Sequence, residues 1–115
     1  MTVYDEEDEL DTAFGLLADR RRRAVVEVLR TAPRGSLAAS DLVDAVAAVC
    51  EADADDLAPT LYHRHLPKLD EAGVVDYDAE AEVVSYDSDP LIERCLDLAE
   101  THRSTNWLRA PSKTA

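Results

Sequence analysis

Thr60-Leu61-Tyr62-His63-Arg64-His65-Leu66-Pro67-Lys68-Leu69-Asp70-Glu71-Ala72-Gly73-Val74-Val75 changes its hydrophobic period partway along. Up to Ala72, the residues Tyr62, Leu66 and Leu69 recur at helical spacing with Leu61 and His65 flanking them, which leaves Thr60, His63, Arg64, Pro67 and Lys68 on the outer side. Gly73 stops this helix, because glycine adopts the left-handed conformation at a helix end without a Cβ penalty. Pro67 removes a backbone donor, at about 3 kcal/mol in a regular helix, so a kink is expected there rather than a stop. Beyond the glycine, Val74-Val75-Asp76-Tyr77-Asp78 and Val83-Val84-Ser85-Tyr86-Asp87 are β-branched and aromatic runs; the connection Ala79 to Glu82 between them predicts a hairpin.

Working upstream, the acidic stretch Glu51 to Asp56 reads as a turn, with a cap near Asp56 or Ala58 and Pro59 in the first helical turn. Ser40 is positioned to cap a preceding helix that carries Leu42, Val43, Val46 and Val49 and ends near Cys50. A short extended piece, Leu37 to Ala39, comes before it. Pro33-Arg34-Gly35 breaks an earlier helix, Arg20 to Thr31, whose stripe is Ala24, Val25, Val28 and Leu29 and whose N-cap is Asp19. Leu10, Ala13, Phe14 and Leu17 mark a shorter helix before that, and Ser88-Asp89-Pro90 opens a last one downstream of the hairpin. Three helices followed by a hairpin is the element order of a winged helix-turn-helix, so the fold class expected is mainly α with a β-hairpin. Residues 1–9 form an acidic lead and 110–115 a tail, both expected to be disordered; 10–90 form the winged domain and 91–109 a C-terminal helix.

Charge constrains the partners. Lys and Arg number 12 against 25 Asp and Glu, a net −13, which is opposite in sign to the usual footprint of a nucleic-acid binder. Most of the acids are Asp, arginine far outnumbers lysine, and alanine is abundant, a composition that looks like that of a cytosolic protein of a halophilic archaeon. In about 1 M salt the Debye length is roughly 3 Å, so the carboxylates hold water and cations while their mutual repulsion is screened. No apolar window reaches the length of a membrane helix, and the acidic start does not resemble a secretory signal, so the expected location is the cytoplasm. There Cys50 and Cys95 are expected to be thiols.

From Thr60 to Val75, and especially in His65-Leu66, Leu69 and Ala72-Gly73-Val74-Val75, the chain resembles winged-helix transcription regulators of the arsenic-repressor-like type, over about residues 10–90. With Leu16-Leu17-Ala18-Asp19-Arg20-Arg21-Arg22-Arg23 it is similar to a family of small haloarchaeal winged helix-turn-helix domains in which the interior proline also recurs. The resemblance implies a DNA-binding transcription regulator whose third helix lies on double-stranded DNA. Thr60, His63 and Arg64 would then meet base edges or phosphates, and Lys68, Arg20, Arg21 and Arg34 phosphates. Four consecutive arginines spread over about 300° of a helix, so only part of Arg20 to Arg23 is expected to face a partner. Between Val74 and Asp89 stand six carboxylates and no lysine or arginine, so the wing tip is expected to stay clear of DNA.

The last helix carries a broad apolar face, and Leu91, Ile92, Cys95 and Leu98, with Trp107 beyond, are read as the seam of a homodimer. His63 and His65 project about 200° apart and cannot chelate one metal together, so His65 is read as a partly buried structural histidine. No catalytic constellation, cofactor site or metal-ligand spacing is present, and an enzyme is not expected. The alternative to a DNA-binding regulator is a protein-interaction module that keeps the winged-helix scaffold without binding DNA.

Overall fold

Helix α1 (Glu6–Leu17) is followed after a two-residue break by α2 (Arg20–Thr31), in a computed structural model that describes residues 6–100, with side chains from residue 11. The first helix begins inside the stretch expected to be an unstructured lead. Asp19 caps α2, its Oδ1 accepting from the Arg21 amide at 2.8 Å. A single tight turn, Pro33–Gly35, then redirects the chain into β1 (Ser36–Ala38).

Helix α3 (Ala39–Cys50) starts one residue before the expected Ser40 cap, which therefore lies within its first turn. Its first amide is satisfied by tertiary structure instead, donating from Ala39 to the Glu82 carbonyl at 2.8 Å. The next cap is Asp53 rather than Asp56 or Ala58; its Oδ1 accepts from the Asp55 amide, and α4 (Ala54–Thr60) begins there. Pro59 is consequently near the end of α4, not in its first turn. The chain stays helical through a wide π turn, Leu61–His65, into α5 (Leu66–Glu71), passing Pro67 without stopping. The Leu66 amide reaches back five residues to the Leu61 carbonyl, the local distortion that accommodates two prolines eight positions apart.

Strands β2 (Val75–Asp78) and β3 (Val83–Tyr86) form the predicted hairpin with Ala79 to Glu82 between them. Asp78 Oδ1 accepts from the amides of Glu80 and Ala81, each at 3.1 Å, which closes that turn. The short extended piece upstream is a true strand: β1 pairs antiparallel with β3, opposite β2, in the order β1-β3-β2. Val75, Val84 and Tyr86 face the core while Asp76 and Asp78 face water, the alternation of a sheet with one covered side. The result is a winged-helix arrangement, with α3 and the α4–α5 rod as its helix-turn-helix.

Leu29 and Leu42 from α2 and α3, Leu61, Leu66 and Leu69 from the rod, and Val84 from the sheet are fully buried. At about 1.5–3 kcal/mol for each fully buried leucine, these anchors hold the rod against the body of the domain. A last helix, α6, spans residues 90–100, with Asp89 as its cap and Pro90 at its first position, as expected. Its Ile92, Cys95 and Leu96 are buried in this same core, so α6 is part of the winged domain rather than an appended element. Cys50 and Cys95 are both free thiols.

Gly35 sits where β3 turns away from the sheet, with φ +66 and its missing Cβ only 2.6 Å from the Tyr86 carbonyl oxygen. Gly35→Ala therefore combines a left-handed backbone with a clash against main chain. Urea unfolding of this variant is expected to show a loss of about 2 kcal/mol or more; unchanged stability would mean that β1 does not approach β3 in this way.

Candidate nucleic-acid interface

The rod has two sides. Leu57, Leu61, His65, Leu66 and Leu69 are buried beneath it, while His63, Arg64, Pro67 and Lys68 are exposed and Thr60 is half-buried. Thus Thr60, His63, Arg64 and Lys68 are brought together on one outer stripe, as the periodicity predicts. From Leu57 to Leu69 the rod carries Arg64 and Lys68 and no carboxylate, in a chain where acids outnumber bases two to one.

Arg20 to Arg23 divide into different tasks. Arg20 and Arg21 are exposed, and Arg20 Nη2 donates to the Val49 carbonyl at the end of α3, at 3.3 Å. Arg22 is buried at 8% exposure; its Nε donates to the Leu16 carbonyl at 2.7 Å and its Nη2 to that of Gly15 at 3.3 Å. Arg23 donates through Nη1 to the carbonyls of Leu17 and Ala18. The Gly15, Leu16 and Leu17 carbonyls lie in the last turn of α1, at its negative end, so Arg22 and Arg23, which oppose the dipole at the start of α2, are compensated by the end of its neighbour.

The third Arg22 contact was not foreseen: Nη1 lies 3.2 Å from His65 Nδ1. His65 is 1% exposed, more buried than expected, and its Nε2 has no hydrogen-bond partner among the described residues. Burial, and then the nearby Arg22, Arg64 and Arg21, hold the imidazole below its ordinary 6.5 despite the attraction of Asp19. Burial would raise the Asp19 carboxyl, but the Arg21 amide, His65 and Arg22 together outweigh it and keep that carboxyl below its usual value. Nothing in the local spacing of Arg22 and His65, which are 43 residues apart, announces that they meet.

Arg34 is exposed but stands apart from the stripe. It lines a cleft with Gly73 to Asp76 and Tyr86, where the rod gives way to β2, at the end of the sheet remote from the hairpin turn. Along a helix the interval from Thr60 to Gly73 is about 20 Å. The wing is acidic throughout its exposed surface, with Asp76, Asp78, Glu80, Glu82, Asp87 and Asp89 all exposed. That acidity reaches the rod, because burial and the nearby Tyr77, Glu82 and Asp44 push the Tyr62 hydroxyl above its ordinary value.

Of the expected dimer residues, Ile92 and Cys95 face the chain's own core and are withdrawn from any seam. Leu91 is half-buried, Leu98 is 58% exposed, and Trp107 lies outside the described residues. The helix is held by a network absent from the sequence reading: Tyr86 donates to Glu93 at 2.6 Å, and Glu93 pairs with Arg30 at 2.9 Å. Burial and the Glu93 bond push the Tyr86 phenol up to about 12. Among the described residues no cluster of His, Cys, Asp or Glu could hold a metal ion, and no helix is long and apolar enough to cross a membrane.

Residues 14–85 match the family model described as Domain of unknown function (DUF7344), and the chain belongs to that family. No curated protein and no solved structure matches it.

Neighbouring arginines are expected to differ sharply on substitution. Arg22→Ala removes the side-chain donor of the Leu16 carbonyl and of a buried imidazole nitrogen, leaves the Gly15 carbonyl only its long bond from the Ala18 amide, and should lower the unfolding free energy by about 2–4 kcal/mol. Arg21→Ala, on an exposed side chain, should change it by less than about 0.5 kcal/mol. Chemical denaturation of both variants checks this, and equal effects would contradict the division.

Proposed function

We propose that this member of the DUF7344 family is a DNA-binding transcription regulator that works through the outer stripe of its α4–α5 rod at high intracellular salt. The observation that carries the reading is the stripe itself: two cations, a histidine and a threonine hydroxyl on the exposed side of the second helix of a helix-turn-helix, free of carboxylates. Arg64 and His63 supply donors for base edges, Thr60 a hydroxyl, and Lys68 a charge for phosphate. Arg21 joins them as a backbone contact, and Arg20 does so while it remains tied to the end of α3. Arg34 is best placed for a flanking phosphate beyond the rod's exit. The protein acts in the cytoplasm as a homodimer, with Leu98 and Leu91 of α6 at the two-fold seam.

Molar salt reconciles this reading with the net charge. Repulsion between the acidic wing and phosphates decays within about 3 Å there, whereas direct hydrogen bonds from Arg64 and His63 persist. One observation favours the alternative of a protein-interaction module: the wing presents exposed carboxylates and not one base. A single stoichiometric protein partner, captured without DNA, would decide for that alternative.

Fluorescence anisotropy with a pool of labelled genomic fragments in molar potassium chloride tests the DNA reading. Lys68→Ala should weaken binding and reduce the slope of log affinity against log salt by about one, and Arg64→Ala should weaken binding and relax the base preference at the position it meets. Glu80→Ala in the wing should leave affinity unchanged or raise it. No binding by a folded protein, or affinity unaltered by both rod substitutions, would contradict the proposal.

A further inference from the structure

The Arg22–His65 contact has a chemical polarity. A guanidinium carries donors and no acceptor, so across the 3.2 Å contact Arg22 donates and His65 Nδ1 accepts. This places the imidazole proton on Nε2, the atom that is buried without a partner among the described residues. The same guanidinium is locked to α1 through the Leu16 and Gly15 carbonyls, so one side chain ties the end of α1 to the last residue of the π turn. His63 and Arg64 belong to that turn, and Lys68 follows it by three residues.

We propose that Arg22 and His65 are positioning residues that set the outer stripe of the rod, and that uptake of a proton at His65 Nδ1 releases it. The proton comes from solvent and no covalent bond breaks: the nitrogen lone pair that accepted the Arg22 N–H becomes an N–H itself. Two donors and two positive charges then face each other at 3.2 Å in a space closed to water. The groups facing His65 are Asp19, Arg22 and Arg21 from the start of α2 and Arg64 from its own turn, three cations against one carboxylate. The folded protein thus resists protonation more than the unfolded chain does. Stability from this site is complete above 6.5 and declines as pH falls below it, toward the lower value at which folded His65 takes its proton. The consequence for duplex affinity rests on the function proposed above; the positioning itself does not.

Ring nitrogen resonances of the full-length protein in molar potassium chloride test the pair directly. The expected result is an Nε2–H tautomer for His65 at mildly alkaline pH and protonation below the ordinary imidazole value of 6.5. An Nδ1–H tautomer, or protonation of His65 at or above 6.5, overturns the proposal. Urea unfolding across the mildly acidic range supplies a second readout: the wild-type folding constant should fall by up to about tenfold per pH unit below 6.5, and His65→Gln should lack this component. The same pH dependence in the variant overturns the proposal; should the variant not fold, the tautomer measurement decides alone. In the duplex arm, wild-type affinity should weaken with His65 protonation while that of His65→Gln does not. Matching pH profiles would overturn the positioning role, whereas absence of duplex binding at every pH would sink only the DNA reading and leave the resonance and unfolding results to judge the pair.

Discussion

Arg22 occupies a place where three helices meet. Its guanidinium answers carbonyls at the end of α1, grows from the first turn of α2, and supplies the proton shared with His65 on the rod. Burying such a group is costly unless its donors are used, and here three of its nitrogens each find an acceptor. The leucines beneath the rod are non-directional and would tolerate small rotations about its axis; the contact at His65 is directional and does not. The outward aim of His63 and Arg64 therefore depends on a polar contact inside the protein as much as on apolar packing.

This arrangement also explains how a protein so acidic uses its few cations. Arg22 and Arg23 are consumed by the end of α1, Arg20 touches the end of α3, and Arg30 holds Glu93. What remains exposed without such duties includes Arg64 and Lys68 on the rod and Arg21 beside it. Arg64 and Lys68 thus stand on a stripe free of carboxylates, while every charged residue of the wing is a carboxylate. Such a distribution suits contact by one helix more than the two-element grip of rod and wing.

Most of the fold was legible in the chain. The switch from helical to alternating period around Gly73 marks the rod and the hairpin, and Asp19, Asp89 and Pro90 mark helix starts by their capping chemistry. Elements were misplaced where local signals competed. The acidic stretch offers several aspartates of equal capping chemistry, and the one used is Asp53, whose Oδ1 accepts from the Asp55 amide. Ser40 lost its cap role because the Glu82 carbonyl, distant in sequence, satisfies the first amide of α3. Pro67 signalled distortion, but the form it took, a π turn, depends on which carbonyls the surrounding core leaves reachable. The candidate stripe, being periodic, was readable. The Arg22–His65 contact and the Tyr86–Glu93–Arg30 network were not, since each joins side chains whose partners are chosen by tertiary structure. Ile92 and Cys95 looked like a dimer seam because an apolar helix face does not reveal whether its own domain or a second copy will cover it.

The central claim is that the rod's outer stripe is the working surface and the wing is not. Amide resonances of the folded protein, followed as duplex DNA is added in molar potassium chloride, test this most directly. The account predicts displacements concentrated at Thr60, His63, Arg64 and Lys68 and at Arg21, with Ala79 to Glu82 unmoved. Displacements confined to the wing, with the stripe silent, would contradict it.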